Sequence, residues 1–260
     1  MRLDLKNRKK GNLRAVFLHL ELCLPTLFDP KKPTIAYIDG FNLYHRALQN
    51  TPYRWSNPKL LLENVLGHQE CLNTLKFYTA RVSSKIDADA PRKQQIYINA
   101  LGTIPEIEIT FGSFQVQDKW RRISEDMAKV FKPKAELVRV MNPEEKGSDV
   151  NLGAHLIRDG FNKDYEQAVV CTNDTDLCEP IRIVVEELGL PVFLVSPNSK
   201  DNKSVSTAKK LVTAVGGANN VFHMHTSHLK AAILPTNLVG KGGKPIKMPP
   251  SWANGAQKNT

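Results

Sequence analysis

Thr34-Ile-Ala-Tyr-Ile-Asp-Gly-Phe-Asn42 is a short β-branched and aromatic run closed by an aspartate and a glycine. A run that is apolar without alternation is the pattern of a strand buried on both faces of a parallel sheet. Gln167–Cys171 is a second run of the same kind, and it is followed by Thr172-Asn-Asp-Thr-Asp176. Working outward, strand patterns at Leu75–Val82, Glu106–Phe111, Glu136–Val140, Pro191–Val195 and Asn220–Phe222 alternate with helical patterns. The helical patterns fall at Leu43–Gln49, Pro58–Leu66, Pro91–Leu101, Ser148–Asp159, Leu177–Leu188 and Val205–Ala214. Glu106-Ile-Glu-Ile109 alternates acid and apolar residues, as an edge strand does. Alternating strands and helices imply an α/β sandwich of three layers, a mostly parallel sheet with helices on both faces.

The 260 residues suffice for one substantial α/β domain with extensions. Net charge is +10, and it lies at the two ends. Residues 1–32 carry eight Lys/Arg against three Asp/Glu, residues 33–228 carry 23 of each, and residues 229–260 carry five Lys and no acid. The chain therefore divides into a basic N-terminal extension (1–32), a neutral domain (33–228) and a basic Gly/Pro/Lys-rich tail (229–260). Basic arms are a footprint of nucleic-acid binding, and solvated tails read the same way. Ala15–Leu24 reads as an amphipathic extension, since His19 and Glu21 interrupt its apolar run. Cys23, Cys71, Cys171 and Cys178 fit neither a disulfide ladder nor a CxxC spacing, which points to reduced thiols and the cytoplasm. No run reaches the ~18 apolar residues that a membrane span needs.

Four aspartates stand at the edges of the apolar runs: Asp39, Asp149 in Lys146-Gly-Ser-Asp149, and Asp174 with Asp176. In open α/β sheets, ligands bind beyond the carboxyl ends of the strands. Carboxylates gathered there repel one another unless they are protonated or share a cation. A hard divalent ion takes one or two carboxylates plus substrate phosphates, so the residues point to a metal-dependent site for phosphate chemistry. The competing reading of Asp174 is a helix N-cap.

Tyr37-Ile-Asp-Gly-Phe-Asn42, Glu145-Lys-Gly-Ser-Asp-Val-Asn-Leu152 and Cys171-Thr-Asn-Asp-Thr-Asp-Leu177 resemble, in order, the motifs of NYN domains in the PIN-like nuclease superfamily. Ala232-Ile-Leu-Pro235 and Lys244–Trp252 are similar to the ending common in the bacterial group once catalogued as domain of unknown function 88. The resemblance implies a PIN-like sandwich and a metal-dependent endoribonuclease, with Mg²⁺ or Mn²⁺ as cofactor. Its substrate would be single-stranded or unpaired RNA, and a homo-oligomer is compatible with it. Asp39, Asp149, Asp174 and Asp176 would hold the metal, and Asn42 would orient Asp39 or contact a phosphate. Lys146, Ser148 and Asn173 would bind substrate. Glu145 is the nearest glutamate, although the Lys-Gly-Ser-Asp pattern favours Asp149.

The alternatives are a metal-dependent phosphohydrolase on small phosphoesters or nucleotides, and a non-catalytic RNA-binding or adaptor module. Lys146 reads equally as a solvated loop lysine. Tyr44, His45, Tyr53 and Trp55 could stack on bases, and aromatics in such positions are also packing residues. His223, His225 and His228 read as structural or surface histidines. No Walker loop or dinucleotide glycine fingerprint is present.

Overall fold

The computed structural model describes residues 27–85, 87–123, 137–198 and 206–253. The extension read at Ala15–Leu24, together with Cys23, Glu136 and Val205, lies outside the described residues. The body is an α/β sandwich around a six-stranded sheet. Its strands are β1 (Thr34–Asp39), β2 (Thr74–Thr79), β3 (Ile107–Phe111), β6 (Gln167–Cys171), β7 (Val192–Ser196) and β8 (Val221–His223). Every pairing in it is parallel, in the order β3-β2-β1-β6-β7-β8. The chain leaves β1 outward to β3, then returns to β6 beside β1 and runs outward again. β1 and β6 thus flank a topological switch point, where their carboxyl ends open a crevice.

β1 shows why the layers number three. Ala36 and Ile38 enter a core with Leu61, Leu62, Trp55 and Phe193, whereas Ile35 and Tyr37 enter another with Leu152, Leu156, Ile181 and Leu194. Successive side chains of a strand point to opposite faces, so an unbroken apolar strand needs cover on both sides. On the first side lie α2 (Pro58–Leu66), capped by the Asn57 side chain, and α3 (Ala90–Leu101). On the second lie α4 (Ser148–Asn162) and α5 (Cys178–Arg182), which continues as a π-helical turn, Ile183–Glu187. α1 (Gly40–Leu43) leaves β1 directly and also widens to a π-helical turn, Tyr44–Leu48. Gly40 permits that exit, because a Cβ there would lie 2.6 Å from the Tyr78 carbonyl oxygen.

Two features went beyond the strands legible in the sequence, where the pattern at Glu136–Val140 caught only the start of one of them. β4 (Ser113–Arg122) and β5 (Leu137–Lys146) pair as an antiparallel two-stranded arm outside the main sheet. Gln, Asp and Lys dilute the apolar alternation of β4, and Pro143 argues against a strand at β5. The short strands β9 (Asn237–Val239) and β10 (Pro245–Lys247) form a second hairpin. After it, α8 (Pro250–Ala253) sets Trp252 against Trp55 and Tyr97, with Arg54 over its ring at 5.7 Å. Two further short helices, α6 (Lys209–Ala214) and α7 (Thr226–Ala231), flank β8.

One buried carboxylate ties the second layer to the sheet. Asp159 of α4 is fully buried. Its Oδ2 accepts from the Tyr37 hydroxyl of β1 at 2.7 Å and from Lys76 Nζ of β2 at 2.6 Å, and its Oδ1 accepts from Arg158. Burial alone would raise its pKa, but these donors hold it below the ordinary aspartate range. Replacing one member of a buried ion pair leaves an uncompensated charge. Asp159→Ala should therefore destabilise the chain by about 3–5 kcal/mol, or roughly 10 °C in Tm. Asp159→Leu combined with Lys76→Met should recover most of that loss. Thermal unfolding of the three proteins checks it, and an Asp159→Ala curve matching the parent would refute it.

Candidate active site

A cleft of about 350 Å³ opens at the switch point, lined by Asp39, Phe41, Asn42, His45, Arg46, Glu145, Asp149 and Asp174. Its acids arrive from four segments. Asp39 ends β1, and Glu145 stands one residue before the end of β5. Asp149 sits in the first turn of α4, and Asp174 caps the short turn after β6. Gly147 makes the corner between β5 and α4 with φ near +90°, a left-handed conformation that suits glycine. The Lys-Gly-Ser-Asp spacing is thus a turn requirement that delivers Asp149 into the cleft.

Asp39 is almost wholly buried. Its Oδ1 accepts from the Asn42 backbone N–H at 2.9 Å, and its Oδ2 accepts from the Thr172 hydroxyl at 3.2 Å. Burial pushes its pKa up to about 6, aided by the charges of Asp174 and Glu145 and opposed by those two hydrogen bonds. For Asp149, burial again leads, and Asp39, Asp174, Glu145 and Asp176 all add repulsion, taking it to about 7. Both acids are thus held protonated to higher pH than a free aspartate, by burial first and by their neighbours' charges second.

Three predicted acids, Asp39, Asp149 and Asp174, meet in the cleft together with Asn42. Asn42 joins two segments: its side-chain oxygen accepts from the Asn173 backbone N–H at 3.0 Å. Asp176 is exposed and outside the lining, and its backbone N–H donates to Asp174 at 3.0 Å. Lys146 also stays outside, with its ammonium 3.5 Å from Glu144 and its side chain 55% exposed. Asn173 spends its side chain on Ala208 N–H and the Ser206 carbonyl. Ser148 is buried and bonds Glu145 through its backbone N–H.

The lining residues Phe41 and Arg46 were not singled out from sequence. Residues 42, 45 and 46 repeat at i, i+3, i+4 after Asp39, which puts them on one helical face, and that spacing was the available signal. Phe41 stacks on Phe114 of β4 at 6.1 Å and 14°. Arg46 is steered by Asn198 at 3.3 Å. The site thus sets a ring wall and one guanidinium beside four carboxyl groups.

The chain is 27% identical over 239 residues to the 6-hydroxy-3-succinoylpyridine 3-monooxygenase HspA of Pseudomonas putida, a match that spans 84% of this chain and 75% of that one. A solved structure of a protein of unknown function from Vibrio parahaemolyticus aligns with 80% of this chain and 100% of its own, at 13% identity and a TM-score of 0.45. No protein-family model matches the chain. The monooxygenase relative corrects the activity expected from the sequence. A metal-dependent endoribonuclease is overturned, and with it the phosphohydrolase and the non-catalytic alternatives. The expected Mg²⁺ or Mn²⁺ is corrected as well. Among the described residues, no three His, Cys, Asp or Glu side chains are grouped so that they could hold a metal ion. Crowded carboxylates suggest a shared cation from residue type alone, and protonation relieves the same repulsion. Among the described residues, no helix is long and apolar enough to cross a membrane.

The raised values carry a sign for stability. A carboxyl that binds its proton more tightly when folded favours the fold at low pH. That contribution is complete below the ordinary aspartate value of 3.8 and is lost as pH rises through about 6 and about 7. Asp149→Asn removes the repulsion, so it should raise Tm by a few degrees at pH 8, at ~2–4 °C per kcal/mol, and by little at pH 4. Calorimetry at the two pH values checks this. A Tm gain equal at both, or absent at pH 8, would count against it.

Proposed function

We propose that the chain is a monooxygenase-type oxidoreductase acting on a small hydroxylated nitrogen heteroaromatic acid, with the acid-lined cleft as its substrate site. The observation that carries this is the 27% identity to the pyridine monooxygenase across most of both chains. The NYN-like motif order stays part of the reading as a scaffold, one whose acids serve proton transfer. The buried thiols of Cys71 and Cys171 support a cytoplasmic location.

The lining suits such a substrate. About 350 Å³ lies at the small end of ligand pockets and accommodates one substituted ring. Phe41, backed by Phe114 and stacked on His45, gives the cleft an aromatic wall, and Arg46 is a cation for a carboxylate arm. Asp149, with its pKa at about 7, takes the proton of the ring hydroxyl. The resulting oxyanion raises electron density at the carbon para to it. In a 6-hydroxypyridine that carbon is position 3, the one named in the relative's activity. In the 3-acylated ring that carbon carries the acyl arm, so the new ring–oxygen bond replaces the ring–acyl bond: one atom of dioxygen enters the ring, the other is reduced to water with two electrons and two protons from a reductant such as a reduced nicotinamide, and the acyl arm leaves as a carboxylic acid by taking up water. Monooxygenases of ring hydroxyls commonly invite a flavin. The cleft does not fit one, because the flavin phosphate would face Asp39, Glu145, Asp149 and Asp174, and the sequence has no dinucleotide glycine fingerprint. The steps assigned to these residues are therefore binding, orientation and proton transfer only.

The test is incubation of the purified protein with 6-hydroxy-3-succinoylpyridine, a reduced nicotinamide with and without added flavin, and ¹⁸O-labelled dioxygen. One labelled atom per product is expected, with a rate that rises with pH through about 7 as Asp149 loses its proton. Asp149→Asn should lower kcat about 10²–10⁴-fold. Arg46→Ala should raise KM with kcat largely kept, the mark of lost uniform binding. No label in any product, and no substrate-dependent oxygen uptake, would sink the reading.

A further inference from the structure

The arm formed by β4 and β5 is two-sided. Directly paired residues of an antiparallel ladder share a face. One face therefore carries Gln115 with Glu144, Gln117 with Asn142, Lys119 with Val140 and Arg121 with Val138. It is tied together by Lys119–Glu144, Arg121–Asn142 and Asn142–Glu144 contacts. The other face carries Phe114, Val116, Met141, Trp120 and Leu137, interleaved with Glu145, Asp118, Arg139 and Arg122. Trp120 is 65% exposed and Met141 61%. This alternation belongs to a hairpin that has one side in water and one side covered. A lone two-stranded ribbon is marginal in water, and a contiguous exposed apolar face marks an interaction surface.

Charge along that face says what covers it. Its base joins the acid cleft: Phe114 stacks on Phe41, and Glu145, paired with Phe114, lines the cleft beside Asp39, Asp149 and Asp174. Its far end is basic, with Arg122 exposed and Arg139 alongside Trp120. Eight steps of about 3.4 Å separate Phe114 from Arg122, roughly 27 Å. Asp118, midway, is neutralised by Arg139 at 2.8 Å. The face is complementary to itself when reversed end for end, which is the condition for an isologous two-fold contact.

We propose that two copies of this chain associate through these faces, with the arms antiparallel about a two-fold axis near Asp118 and Met141. Trp120 then covers Val116 of the partner subunit, and Arg122 reaches Glu145 of the partner subunit at the rim of its cleft. Each site is completed by a cation from the other chain. This does not depend on which reaction the cleft performs.

The test is sedimentation of the full chain over about 1–100 µM, a range suited to an interface at the small end of the specific class, at low and high salt. A concentration-dependent twofold mass that weakens with salt is expected, because the rim contacts are ionic. Trp120→Glu with Met141→Glu should give monomer with unchanged circular dichroism and Tm. Arg122→Glu and Glu145→Lys should each weaken the dimer about tenfold, and the two on one chain should restore it to within threefold. A parent that is monomeric throughout, a dimer that survives the double glutamate variant, or a charge swap that restores nothing would each overturn the proposal. So would a monomeric parent whose arm instead binds an oligoribonucleotide in a Trp120-dependent way.

Discussion

The Asp159 carboxylate, held by Tyr37 and Lys76, is the interaction on which the rest of the structure depends. It fixes α4 to β1 and β2 from inside the core, where solvent screening is weak. α4 carries Asp149 at its other end, so the position of the cleft's most perturbed acid is set ten residues away. Arg158 adds a third donor residue to the same carboxylate, on its other oxygen. A fully satisfied buried node of this kind offsets a real desolvation cost, and breaking it by removing one partner costs more.

The cleft has the opposite character. Asp39, Glu145, Asp149 and Asp174 are gathered where each raises the energy of the others, and the fold tolerates this because each carboxyl is fixed by a different segment. The Asn42 and Thr172 hydrogen bonds to Asp39 soften the repulsion without removing it. Local rules are broken in this way at sites that do chemistry, and the surrounding structure offsets the cost. The two networks thus stand at opposite ends of α4: one is fully satisfied, and the other leaves Asp39 and Asp149 against their neighbouring carboxyl groups.

Much of this was legible in the sequence. Buried parallel strands announce themselves by unbroken apolar runs, so β1 and β6 and the acids beyond them could be placed without coordinates. Glu106–Phe111 was readable as an edge because its alternation leaves one face wet. Of the arm only the start of β5, at Glu136–Val140, was readable, since Gln115, Gln117, Asn142 and Pro143 carry little strand preference and only the pairing of β4 with β5 brings its apolar residues together. The fate of Lys146 was equally hidden. A lysine three residues before a site acid points towards it or away according to strand phase, and here the phase turns it to Glu144. Chemistry was the least legible level, because a crowd of carboxylates is consistent with a shared cation or with a shared proton, and residue type alone does not distinguish them.

The two cores also close at different moments in the life of the chain. The core under α4 and α5 draws its residues from Ile35 to Val215. The core on the other face also needs Met224, Leu229, Leu234 and Trp252. During synthesis from the amino end, one side of the sheet can be sealed while Trp55 on the other still waits for its partner Trp252, almost two hundred residues downstream. A nascent chain paused in that interval presents a half-covered sheet, the kind of surface that chaperones bind and that aggregation exploits. The last helix among the described residues, α8, is a single turn, yet its Trp252 completes the cover over Trp55.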